Sequence, residues 1–305
     1  MSGKTHHSFA NADFPQDDEG RTYHLGVSRG QVANRILVCG DVQRVRTLQK
    51  FLDKIYCDVL SDRGFLTVTG SVHGTPMTLQ ASLMGFPNID FAVRESLAVI
   101  DGDVVIFRFG TCGSPNPSTS LGNLALAKDC RAIYRNPDAF RRRGTNGKTL
   151  STPEERYIIT QPVSGDQQLF EHMERALREK FGNKVESGTN YSGDTFYSAQ
   201  GRPSTDFIDE NEEVLQRLID ASPDGVCGIE MESFHLFDLA DVSVDKRLRA
   251  GCSAVVIAKR ATKDFITADQ KEQIVSEYGH LIIQTLASFP IDEKKLMKGP
   301  ECVWL

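Results

Sequence analysis

The chain has 305 residues, enough for one or two domains at a usual domain size of about 150. Forty per cent apolar and 25% charged residues are ordinary globular proportions and exclude wholesale disorder. A net charge of −6 excludes the basic surplus of a general nucleic-acid binder, yet a few arginines can still build a positive pocket for an anionic substrate.

Residues 1–20 are rich in Ser, Asp, Asn and His and are expected to form a flexible segment. They lack the apolar stretch of a secretory signal. Apolar runs such as Ala254 to Ala258 fall far short of the about 18 residues of a membrane span. The seven cysteines are scattered without a CxxC pair, so neither a disulfide framework nor a zinc site is indicated. A soluble, cytoplasmic protein without nucleic-acid or membrane partners is expected.

The pattern sharpens at Ile36-Leu37-Val38-Cys39, a strand that ends in Gly40-Asp41. A helical period follows at Val42, Val45, Leu48, Phe51 and Leu52, with Asp41 as its cap. Phe65–Val72 and Met77–Leu83 read as a hairpin around His73-Gly74-Thr75-Pro76, with Gly74 and Pro76 supplying the turn. A helix is predicted over Ile89–Ile100, then a strand over Asp103–Phe109 that stops at Gly110-Thr111-Cys112-Gly113. Leu124–Ala127 is a further strand. Residues 135–156 hold three consecutive arginines, two glycines and little periodicity, and read as an exposed loop insertion. Leu169, Phe170, Met173, Leu177 and Phe181 make an amphipathic helix closed by Gly182. Val214–Ile219 is a helix, Ala254–Ala258 a buried strand, and Ile274–Leu286 a long C-terminal helix. Strands and helices alternate without a linker, so residues 21–305 are expected to form a single α/β domain with a mixed sheet.

Five places set polar residues where the pattern is otherwise apolar. Arg108 interrupts Val104–Phe109; it is either a structural ion pair, an edge arginine reaching solvent, or a group that meets an anion. The small residues Gly110 to Gly113 would let backbone N–H groups approach a ligand at a strand end, although glycines also simply make turns. Gly40-Asp41 with Arg44 is either a capped helix or an anion site. Glu230-Met231-Glu232 opens a helix, where its carboxylates favour the dipole or accept sugar hydroxyls. In Asp194–Arg202, Phe196, Gln200 and Arg202 offer a stacking face and a donor–acceptor edge for a planar heterocycle, or a solvent loop. Lys259-Arg260 ends a strand, where exposed bases are common.

Together these segments resemble the nucleoside phosphorylase-I family and, within it, the uridine phosphorylases. The matches run in family order: Tyr23-His24-Leu25-Gly26, Gly40-Asp41-Val42-Gln43-Arg44-Val45, Arg108-Phe109-Gly110-Thr111-Cys112-Gly113, Asp194-Thr195-Phe196-Tyr197, Gln200-Gly201-Arg202 and Glu230-Met231-Glu232-Ser233. The resemblance implies a partly barrel-like mixed sheet flanked by helices, of the phosphorylase/hydrolase type. It implies reversible phosphorolysis of uridine to uracil and ribose 1-phosphate, with deoxyuridine left open and phosphate as co-substrate in place of any organic cofactor. Gly40, Arg44, Arg108 and Thr111 would hold phosphate, and Arg63 would reach in from a neighbouring subunit. His24 would come from the partner to the sugar 5′-hydroxyl. Met231, Glu230 and Glu232 would hold the ribose, beside Thr111 and Gly113. Phe196 would stack near the base, Gln200 and Arg202 would read the uracil edge, and Arg260 would brace it. Sites shared in this way imply at least a homodimer.

Three departures qualify the match. Met84-Gly85-Phe86-Pro87-Asn88 replaces a glycine-rich stretch. Gly64 stands where some bacterial members have a glutamate for an interfacial cation, which leaves that metal site open. Lys259 stands where asparagine is common, and Asp264 is offset from the purine-type catalytic aspartate. The alternatives are a purine or broad-specificity nucleoside phosphorylase and a nucleosidase that uses water.

Overall fold

A computed structural model describes residues 8–305. Of the segment expected to be flexible, residues 1–7 lie outside the described part. The rest holds β1 (Phe9–Ala10) and β2 (Gln16–Asp17), paired antiparallel. The domain proper begins with β3 (Arg35–Cys39), buried throughout, and α1 (Val42–Leu48), whose cap is Asp41: its carboxylate accepts from the Arg44 N–H. Next come β4 (Lys54–Leu60), β5 (Leu66–Val72), β6 (Thr75–Ala81), α2 (Phe86–Ala98) and β7 (Val104–Ser114). They are followed by β8 (Leu124–Arg135), α3 (Pro137–Arg141), α4 (Pro153–Arg156), β9 (Tyr157–Ile159), β10 (Val163–Ser164) and α5 (Gln167–Phe181). The chain closes with β11 (Val185–Gly193), α6 (Val214–Asp220), β12 (Val226–Glu230), α7 (Ser233–Asp241), β13 (Leu248–Lys259) and α8 (Ala268–Ser288).

Eleven strands form one mixed sheet. In its centre β7 pairs with β13, β13 with β8, β8 with β11, β11 with β12, and β12 returns to β7. Those five strands close a ring, which is the partly barrel-like mixed sheet expected. From β7 the sheet extends outward through β3, β6, β5 and β4. Apolar residues of α1, α5 and α8 form one core with the sheet, among them Leu48, Met173 and Ile282. Those of α2 and α7, including Ile89, Phe234 and Phe237, form a second. A further small cluster joins Cys112, Ala125, Cys227, Ala254 and Val256, contributed by the ring strands themselves. Side chains this small suit a ring of five strands, whose interior has little room.

Several expectations need correction. The hairpin turn is His73-Gly74 alone, both at positive φ, and Thr75 and Pro76 already belong to β6. Pro76 is tolerated because β3 begins pairing with β6 at Thr78, so its missing N–H is not needed there. Gly110–Gly113 is not a turn: β7 runs on to Ser114, pairing with β13 along its whole length. Glu230 does not open a helix; it is the last residue of β12, and α7 starts at Ser233. Within 135–156, Pro137 and Pro153 start two short helices, and Thr152 with Glu155 forms a capping box. All seven cysteines are unpaired. No helix among the described residues is long and apolar enough to cross a membrane.

Overfilling the ring should be costly. Ala125→Leu is expected to lower unfolding stability by about 1–3 kcal/mol, read as a reduced urea midpoint; an unchanged midpoint would show that the small cluster does not fill a confined space.

Candidate active site

The carboxyl ends of β3, β7, β12 and β13 converge on one cavity of about 300 Å³. Ligands of α/β sheets commonly bind at such strand ends. Gly40, Arg44, Arg108, Thr111, Gly113, Phe196, Gln200, Arg202, Glu230, Met231 and Glu232 all line it. Eleven of the residues singled out from the sequence are therefore brought together.

At its floor lies Arg108, which is 3% exposed. Its guanidinium folds back over Gly110, two residues along the strand, where a Cβ would sit 2.1 Å from Nη1. Glycine at 110 makes that fold possible. The Nη2 donates to Glu232 Oε2, and Nη1 lies 3.0 Å from Glu230 Oε2. That second contact lacks hydrogen-bond alignment, so Nη1 and Nε both remain donors without an aligned acceptor. Burial works against the charge, but the two carboxylates outweigh it and hold the guanidinium protonated.

The two glutamates differ in kind. Glu230 Oε1 accepts from Asn190 Nδ2 at 3.0 Å and from the Ser192 hydroxyl, and its Oε2 accepts from the backbone N–H of Glu232 at 2.9 Å. The Ser233 N–H donates to both oxygens. Burial raises its pKa, yet Arg108 and these bonds bring it below the ordinary carboxylate range. Although Glu230 lines the cavity, its carboxylate is committed to the framework. Glu232 accepts from the Gly85 N–H at 2.6 Å and from Arg108, and burial, reinforced by the nearby Glu230 charge, pushes its pKa up. Arg44 donates from Nη1 to the Phe109 carbonyl at 3.1 Å, and its Nη2 pairs with Asp41 at 2.9 Å.

At the other end the loop after β11 folds Gln200 into the wall, 2% exposed. Its Nε2 donates to the Glu230 carbonyl at 3.3 Å, while Oε1 accepts from Arg202 Nη1 at 2.7 Å. The Arg202 guanidinium also covers one face of Phe196, 3.7 Å from the ring centroid. Burial, and then the charge of Arg260, lower the Arg202 pKa to about 10, so it stays cationic near neutral pH. Arg260 does not line the cavity. It packs on Gly113 and donates to the carbonyls of Gln200 and Gly201 at 2.9 and 3.2 Å, holding the loop in place.

His24 and Arg63 stand apart from their own chain's cavity. His24 stacks on Phe91 at 3.7 Å, and its Nδ1 lies 2.6 Å from the buried Glu95, which also accepts its backbone N–H. Arg63 covers the Tyr23 ring at 3.7 Å.

Sequence reasoning missed Met84, Phe265, Lys271 and the Gly85 N–H, and read Asp41 as a cap alone. Met84 and Phe265 are large apolar residues left exposed in loops, a signal visible only once the fold is known.

Comparison with known proteins identifies the family. The phosphorylase superfamily model matches residues 34–277. A uridine phosphorylase of Thermococcus kodakarensis is 31% identical over 97% of this chain and 96% of its own length. A DeoD-type purine nucleoside phosphorylase of Jannaschia sp. is 26% identical over 88% of this chain and all of its own. Among solved structures, a chain from a study of two uridine phosphorylases of the oomycete Phytophthora capsici superposes with a TM-score of 0.85 at 31% identity, covering 93% of this chain and all of that one. With its fold and nearly its whole length shared in this way, the chain belongs to the phosphorylase superfamily.

Proposed function

We propose that this protein catalyses the reversible phosphorolysis of uridine to uracil and ribose 1-phosphate. The observation that carries the reading is a single cavity with two unlike poles: Arg108 with Glu232 at one end, and Gln200 with Arg202 at the other. The uridine phosphorylases of T. kodakarensis and P. capsici, alike over nearly the whole chain, support it. Phosphate is a co-substrate, and the reading calls for no organic cofactor.

Phosphate occupies the end formed by Gly40, Arg44, Arg108 and Thr111, and Glu232 accepts the ribose hydroxyls above Met231. One phosphate oxygen bonds to C1′ as the C1′–N1 bond breaks, and its electron pair leaves with the base. Gln200 Nε2 and the cationic Arg202 face the uracil anion as it develops, and water then returns a proton to it. Arg202 and Arg260 repel each other, so an anion arriving beside them relieves a cost already present. Catalysis is positioning and electrostatics without a covalent nucleophile. His24 and Arg63, remote from their own cavity, serve that of a neighbouring copy, so the working unit is at least a homodimer.

A nucleoside panel assayed with and without phosphate tests the reading. Uracil should leave uridine only when phosphate is present. Equal release without phosphate would mean a nucleosidase, and preference for inosine would overturn the roles of Gln200 and Arg202.

Arg108→Ala should lower kcat by about 10²–10³ and raise the phosphate KM. Gln200→Ala should lower kcat/KM for uridine on the order of 10². Parental kinetics in either variant would remove that residue from the mechanism.

The Glu232 carboxyl also makes a stability prediction. Its folded pKa is raised, so its contribution is fully present below the ordinary carboxylate range and is lost as pH rises through the raised value. Glu232→Gln lacks that loss. Its Tm relative to the parent should be higher at pH 8 than at pH 5, and a difference independent of pH would contradict the assignment.

A further inference from the structure

A second cavity of about 220 Å³ adjoins the first where α1 meets the start of α8. Asp41, Arg44 and Lys271 line both. The side cavity therefore borders the anion end of the site.

Lys271 is oddly placed for a structural lysine. It is the fourth residue of α8, close to the positive end of that helix, where a cation is disfavoured. It is half-buried, and among the described residues its side chain has no ion pair or hydrogen bond. Two carboxylates share its cavity. Asp41 is taken by the guanidinium and backbone N–H of Arg44, and Glu272 is exposed and, among the described residues, makes no side-chain ion pair or hydrogen bond. Lys271 is thus left without a partner on the wall of a cavity that it shares with the Arg44–Asp41 pair, and Arg108 lines the adjoining one. A mobile anion is the ligand this arrangement fits.

We propose that Lys271 recruits inorganic phosphate through this side passage. The inference rests on the phosphorolytic reading above, and it gives phosphate a route that a bound nucleoside does not obstruct. Lys271 adds local positive potential, so its effect falls on phosphate capture and weakens as salt screens it.

The test compares Lys271→Gln, Lys271→Arg and Thr47→Glu, which sets a negative charge in the side cavity, away from the main one. Phosphate-dependent uracil release by the parent is measured first, and its absence would sink the proposed function rather than this inference. Lys271→Gln should lower kcat/KM for phosphate about fivefold at low salt, with kcat/KM for uridine at saturating phosphate near the parent's. The gap should close at high salt, Lys271→Arg should recover most of the loss, and Thr47→Glu should reproduce it. Unchanged phosphate kinetics in Lys271→Gln, an equal fall for both substrates, or a gap insensitive to salt would overturn the role of Lys271. Parental phosphate kinetics in Thr47→Glu would overturn the passage.

Discussion

A guanidinium in the middle of an apolar strand has to be compensated, and most of the site's architecture follows from how Arg108 is. Its charge lies among strands where an isolated ion would be prohibitively expensive. The compensation comes from the end of β12 and the turn into α7, which supply Glu230 and Glu232. Glu230 is fixed in turn by Asn190 and Ser192 of β11 and by the first amides of α7. Glu232 is fixed by the Gly85 N–H at the start of α2. α2, β11, β12 and α7 are thereby tied to one side chain on β7.

This arrangement is asymmetric in a useful way. One guanidinium faces two carboxylates, so the trio carries an excess negative charge when both are ionised. Glu230, with more donors, keeps its charge; Glu232, with fewer, resists ionisation. The carboxylate that belongs to the framework and the one proposed to meet a sugar are separated by their hydrogen bonds, not by their residue type. At the far end the imbalance has the opposite sign, since Arg202 and Arg260 repel each other and, among the described residues, neither has a carboxylate partner. A leaving base that develops negative charge would fit that far end.

Much of this was legible in the residues. Arg108 stood out because charge inside an apolar run demands a partner, and Asp41, Gly182 and the α5 stripe announced their helices correctly. What failed were places where a local signal had two meanings. Gly110 and Gly113 look like a turn, but one makes room for the Arg108 guanidinium and the other for Arg260. The strand β11 is too rich in Ser, Thr, Asn and Gly to show a strand period, because its polar groups serve Glu230 and its neighbours in the ring. Glu230 and Glu232 are alike in sequence, and their division of labour depends on donors from β11 and from the start of α2. Lys271 carried no signal, since a lysine in an amphipathic helix is ordinary until the cavity beside it is seen.

The central claim is that the Arg108–Glu232 pair lies between an inorganic oxyanion and a ribose. A crystal structure of the protein with phosphate and a non-cleavable pyrimidine riboside tests it most directly. The account predicts an oxyanion bonded to Arg44 and to the unpaired nitrogens of Arg108, with the sugar hydroxyls on Glu232 and the base against Gln200 and Arg202. A riboside bound elsewhere, or an Arg108 still enclosed by its two glutamates with no oxyanion beside it, would contradict it.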